Sequence, residues 1–160
     1  MKVYGIKRDI SKNTDYVDEL YQLNDLKEIV SNADYVINCL PILSNIGKIY
    51  TEEIFKCMKK SAVFINIGRG VVVDETALCQ ALKENWIRGA ALDVFEKEPL
   101  DSSHPFYTDS QVKEKVFLTC HSMDKGPLYI EKAGQLLEQN LLNYKEGKSL
   151  FGIINKELGY

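Results

Sequence analysis

At 160 residues the chain is long enough for one domain with a substantial core. Its composition, 45% hydrophobic and 27% charged, is that of a globular protein and excludes a disordered tail, a collagen or a disulfide mini-scaffold. The 20 basic and 23 acidic residues leave a net charge of −3, which argues against a nucleic-acid partner; no apolar run approaches the roughly 18 residues of a membrane span.

Lys2–Ile6 reads as the first strand. Asn24 then caps a short helix over Asp25–Val30, and Tyr35–Cys39 forms a second strand that Pro41 stops. Thr51 caps a helix over Glu52–Met58. The apolar run Ala62–Ile67 is a buried strand that empties into Gly68-Arg69-Gly70. Asp74 caps the next helix, which runs to Asn85 with an acidic start and an apolar face. Gly89–Val94 and Val116–Thr119 are further strands, and an amphipathic helix over Leu128–Tyr144 closes at Gly147. Strands alternating with helices predict βαβ units, hence a doubly wound, mostly parallel α/β sheet with helices on both faces. Two loops stand out, Pro41–Ile49 and Glu98–Lys115. Met1-Lys2-Val3 leads into the first strand without a signal-peptide core. Four cysteines (Cys39, Cys57, Cys79 and Cys120) form no Cys-x-x-Cys pair, and together these features predict a reducing, cytoplasmic setting.

In such a sheet, the loops that leave the strand C-termini build the ligand crevice. Arg69 stands there between two glycines that allow close backbone approach, and its guanidinium suits a bidentate grip on a carboxylate. After the next strand come Asp93, Glu96 and Glu98, and after the last strand comes His121, one of only two histidines. Taken singly, each also reads as an ordinary surface arginine, a solvated acidic loop or a structural histidine.

Together they carry a resemblance. The segments Phe64–Leu78 and Gly89–Leu100, with Ala33–Pro41, His104-Pro105-Phe106, Thr119-Cys120-His121, Asn140-Leu141 and the terminal Gly159-Tyr160, resemble the D-isomer-specific 2-hydroxyacid dehydrogenases. The closing stretch is similar to the glyoxylate and hydroxypyruvate reductase branch. The resemblance implies a catalytic triad: Arg69 holds a small 2-keto acid, His121 protonates its carbonyl, and Glu98 pairs with His121. It implies NAD or NADP as the hydride source. Asp93 is then expected at the nicotinamide carboxamide, with Ile67, Gly68, Arg69 and His121 around that ring. Cys39, Leu40 and Pro41 are expected near the adenosine ribose. Lys7 and Arg8 follow the first strand, where two bases suit a 2′-phosphate, so NADP is preferred.

Two departures qualify the match. Cys120 precedes His121 and Ser122, Met123 and Asp124 follow it, where the family usually has proline before and small residues after; Met123 is expected to crowd the pocket. The Gly-x-Gly-x-x-Gly phosphate loop and its strand have no counterpart in the sequence. The expected fold is therefore an incomplete Rossmann-like sheet with its central first strand missing. Residues 1–160 form a partial dinucleotide-binding domain, in which 124–160 are a helix and tail returning toward a substrate domain. The gap between Lys2–Ile6 and Tyr35–Cys39 can close by direct pairing, take a strand from a partner, or mark a fragment of a longer protein; the last is favoured. The expected function is the cofactor-domain share of a hydride-transferring oxidoreductase, impaired as this chain alone and prone to homodimerise. The alternative is a non-catalytic dinucleotide-sensing or protein-interaction module.

Overall fold

A computed structural model describes residues 1–11, 15–41, 47–123 and 125–156. Most of the Pro41–Ile49 loop, Asp124 and the Gly159-Tyr160 terminus lie outside the described residues. Among the described residues there are two parallel sheets. Strands β1 (Tyr4–Ile6) and β2 (Glu19–Tyr21) form one. Strands β3 (Tyr35–Asn38), β4 (Val63–Asn66), β5 (Gly89–Leu92) and β6 (Val116–Leu118) form the other, in the order β3-β4-β5-β6.

Strands β3, β4 and β5 are short runs in which alternate residues are buried, the period-two signature of a sheet. Val36 and Asn38, Phe64 and Asn66, and Ala90 and Leu92 face the core. Helices α1 (Leu26–Asn32), α2 (Glu52–Cys57) and α3 (Glu75–Lys83) pack side by side on that face. Phe64 is fully buried there, its ring 4.7 Å from Tyr50 and 5.3 Å from Phe55 of α2. Leu78, Ala81 and Leu82 bring the apolar stripe of α3 into the same core. A short helix α4 (Pro105–Thr108) and a 3-10 turn at Lys113–Lys115 break up the stretch expected to be one long loop. Helix α5 (Tyr129–Lys145) ends at Gly147, whose φ is +67°.

Several expectations change. Helices were expected on both faces, yet Tyr35, Ile37 and Phe117 are exposed on the face away from α2 and α3. The apolar side chains of α5, among them Ile130, Leu137 and Leu141, are exposed as well. Strand β2 is an addition: Glu-Leu-Tyr is half-buried throughout and offers no alternation to read. Helix α1 is capped from Asp25, because Leu23–Asp25 first make a 3-10 turn. Thr51 occupies the cap position of α2 without its hydroxyl accepting a capping bond, whereas the Asp74 carboxylate accepts from the Ala77 amide at 3.1 Å. The gap beside β3 is not closed by direct pairing, since β1 and β3 belong to different sheets. A cleft of about 580 Å³ lies between them, lined by Tyr4, Ile6, Leu26, Val36 and Ile37 among others.

Candidate active site

Because β3 to β6 run parallel, their C-terminal ends share one edge of the sheet, and four loops leave from it. Two buried asparagines knit the first two. The Asn38 carboxamide donates to Asn66 Oδ1 at 2.8 Å across the β3–β4 pair, and Asn38 Oδ1 accepts from the Leu40 amide at 3.3 Å. Asn66 Oδ1 also accepts from the Gly68 amide at 3.1 Å, while its Nδ2 donates to the Arg69 carbonyl at 3.2 Å. Both side chains are about 1% exposed, so each polar atom needs such a partner. Neither residue was singled out from sequence; a polar residue at an inward position of an apolar strand was the available signal.

These bonds set the turn that presents Arg69. The guanidinium is exposed and donates back to the Gly68 carbonyl at 2.8 Å. Gly68 lies against the end of β3, where a Cβ would stand 2.7 Å from the Leu40 carbonyl oxygen. Gly70 is tighter still: a Cβ there would lie 1.9 Å from the Phe95 carbonyl carbon. The arginine turn is thus pressed onto the segment that carries Glu98, and only glycine permits that approach.

The last two loops meet directly. Glu98 Oε2 is 2.7 Å from His121 Nδ1, and Glu98 Oε1 accepts from the Phe95 amide at 3.0 Å. The bond to His121, then the Phe95 amide, hold the Glu98 carboxyl below the usual glutamate range. A carboxylate on Nδ1 fixes that nitrogen as the proton-bearing one and leaves Nε2 to face outward. The imidazole is 48% exposed, which keeps it accessible to a ligand.

Asp93 supports the same loop from below. Its carboxylate accepts from the Thr119 hydroxyl, from the Ser122 amide at 2.9 Å and from the Met123 amide at 3.0 Å, while its carbonyl accepts from the His121 amide at 2.8 Å. Burial opposes the Asp93 charge, but these donors outweigh it and keep the carboxyl below its ordinary value. With its acceptor sites turned inward, Asp93 acts here on the backbone around His121. Of the other expected residues, Ile67 and Leu40 are half-buried and Cys39 and Pro41 exposed at the same edge. Lys7 and Arg8 follow β1 in the smaller sheet, where the Lys7 amide donates to the Tyr21 carbonyl at 3.1 Å. Met123 is exposed, at 60%. Among the described residues no cluster could hold a metal ion.

The edge therefore offers an exposed guanidinium beside a polarised carboxylate–imidazole pair. That arrangement can bind a small carboxylate and deliver or accept a proton. A family model described as D-isomer specific 2-hydroxyacid dehydrogenase, NAD binding domain, matches residues 1–122. The glyoxylate reductases of Pyrococcus horikoshii and Pyrococcus furiosus are 36% and 38% identical over 137 and 133 residues. Those alignments cover 86% and 83% of this chain but only 40% and 38% of the relatives, so the chain spans about two fifths of their length. Among solved structures, a D-isomer specific 2-hydroxyacid dehydrogenase of Xanthobacter autotrophicus in complex with NADPH and MES is similar with a TM-score of 0.83 at 27% identity, over 98% of this chain and 62% of that one. The NADPH-dependent glyoxylate/hydroxypyruvate reductase of Sinorhizobium meliloti, in complex with NADP and sulfate, also gives 0.83, at 26% identity, over 99% of this chain and 49% of that one.

Proposed function

Because the chain belongs to the D-isomer specific 2-hydroxyacid dehydrogenase family, we propose that it is the cofactor-domain share of an oxidoreductase acting on a small 2-keto acid of glyoxylate or hydroxypyruvate type. The observation that carries this reading is the 2.7 Å contact between Glu98 and His121 Nδ1. It orients the imidazole so that Nε2 holds the mobile proton. In the direction of reduction, Nε2 gives that proton to the carbonyl oxygen of the acid, and in the reverse direction takes it back from the hydroxyl. Glu98 steadies the imidazolium throughout. Arg69 grips the carboxylate and neighbouring oxygen of the acid, fixing the reacting carbon.

The residues present fit part of a nicotinamide dinucleotide. The close approach at Gly68, with Ile67 and Arg69, suits the nicotinamide end, and exposed Cys39 and Pro41 with half-buried Leu40 suit the adenosine ribose. No glycine-rich loop for the pyrophosphate occurs in these 160 residues, so binding by this chain alone is expected to be weak. When bound, the nicotinamide supplies the hydride. Lys7 and Arg8 favour NADPH over NADH, and the relatives solved with NADPH or NADP support that preference. The exposed apolar side chains of α5 favour a homodimer. They also support a second reading, in which the chain serves as a dinucleotide-sensing or protein-interaction module.

A titration with NADPH and NADH, followed by turnover of glyoxylate and hydroxypyruvate, tests the proposal. This chain should bind weakly, with NADPH ahead, and a longer version carrying a glycine-rich phosphate loop should bind and turn over. In that version His121→Ala should lose about 10²–10⁴ in kcat, the usual worth of a general acid. Unchanged turnover removes His121 from its role.

A further inference from the structure

The 95–98 segment is gripped by two carboxylates through successive amides. The Phe95 amide donates to Glu98, as described, and the next amide, that of Glu96, donates to Glu75 Oε1 at 2.7 Å. Glu75 opens α3, and its side chain is only 12% exposed. Its second oxygen, Oε2, lies 3.4 Å from His104 Nε2. His104 caps α4, where its Nδ1 accepts from the Phe106 amide at 3.3 Å. A neutral ring whose Nδ1 accepts must carry its proton on Nε2, the nitrogen that faces Glu75. Glu75 Oε1 thus takes its hydrogen bond from the loop, while Oε2 lies against the residue that caps α4. Lys48 flanks the cluster, 3.1 Å from Glu96 and 3.8 Å from Asp74.

We propose that Glu75 is a positioning residue for the Glu98–His121 pair, holding the loop that carries Glu98 through the Glu96 amide while His104 fixes its second oxygen. The inference rests on the functional reading above only for its consequence, not for its geometry. With Glu75 in place the backbone at Glu96 is pinned to the start of α3, one residue beyond the amide that Glu98 itself receives. Remove the carboxylate, and the Glu96 amide loses its acceptor. The loop then relaxes, and Glu98 no longer sits at hydrogen-bond distance from Nδ1.

The tautomer of His121 reads this out in the isolated chain. A neutral imidazole without a partner favours the proton on Nε2, whereas the Glu98 contact holds it on Nδ1. With two histidines in the sequence, ring 15N shifts above the imidazole titration range assign both. Wild type should show His121 mainly as Nδ1–H and His104 as Nε2–H. Glu75→Ala should move His121 to mainly Nε2–H, as Glu98→Ala does, with the far-ultraviolet spectrum retained. A folded Glu75→Ala chain that keeps His121 as Nδ1–H overturns the proposal. Should that variant not fold, the wild-type amides decide. The Phe95 and Glu96 amide resonances should both shift as the Glu75 carboxyl titrates; a Phe95 amide that ignores that step overturns it equally. Neither readout depends on turnover, so an inactive protein with the predicted tautomer change would count against the enzymatic reading alone.

Discussion

His121 has a φ of +51°, in the left-handed region that costs a residue with a Cβ roughly 1–2 kcal/mol. Asp93 offsets that cost by accepting from the amides of Ser122 and Met123 and, through its carbonyl, from that of His121 itself. Replacing Asp93 with alanine leaves the Ser122 and Met123 amides without their charged acceptor. We expect a loss of about 1.5–3 kcal/mol, read as a fall in the urea midpoint at unchanged slope. The glutamates behave in opposite senses. Glu98 is held below its usual range by His121 and the Phe95 amide, so its contribution is present above the unfolded-state value and lost as pH falls through the lower, folded one. Glu75 is raised, chiefly by burial, so its contribution is fullest in acid and declines as pH climbs through its folded value. The stability gap between wild type and Glu98→Gln should therefore shrink on acidification, measured as melting temperature against pH. A gap that widens would mean that Glu98 is not the charged partner of His121.

At the scale of elements, the cap and the core of α3 can be separated. Asp74→Ala removes the side-chain acceptor for the Ala77 amide and should cost about 1 kcal/mol. Phe64→Ala empties a fully buried site packed by Tyr50 and Phe55 and should cost about 3–5 kcal/mol, enough to threaten folding. Thermal melts of the two variants check both figures. The same contrast explains what could be read in advance. Strands β3 to β6 were legible as short apolar runs set between helical stretches, helix α3 because burial on one face writes a period into the sequence, and Asp74 because a capping carboxylate has a local signature. Arg69, Glu98 and His121 were legible because each follows an apolar strand, and a parallel sheet must bring such positions to one edge. Strand β2 was not, since its three half-buried residues carry no alternation. Nor were Asn38, Asn66 and Glu75, whose roles depend on the Asn38–Asn66 bond, 28 residues apart, and the Glu75–Glu96 bond, 21 apart. Asp93 was placed at the right edge, but its inward hydrogen bonds depend on a loop conformation that no local pattern encodes.

The whole molecule is lopsided in what it buries. Phe64, Leu78 and Leu82 are sealed between sheet and helices, whereas Ile130, Leu137 and Leu141 on α5 stand in solvent at 82%, 62% and 62% exposure. A contiguous apolar surface of this kind is normally covered by a partner. The folded chain should bind a hydrophobic dye such as ANS, and Leu137→Glu with Leu141→Glu should lower that signal while shifting stability by no more than about 0.5 kcal/mol per site. Dye fluorescence unchanged by the double variant would place the exposed surface elsewhere. The cleft between β1 and β3 has a separate consequence for dynamics. Strands β1 and β2 are three residues each and share no ladder with the larger sheet, so deuterium should enter their amides through openings that leave β4 and β5 intact. Two kinetic classes of exchange are expected within a single native protein, with the rapid class confined to the first 21 residues of strand pairing.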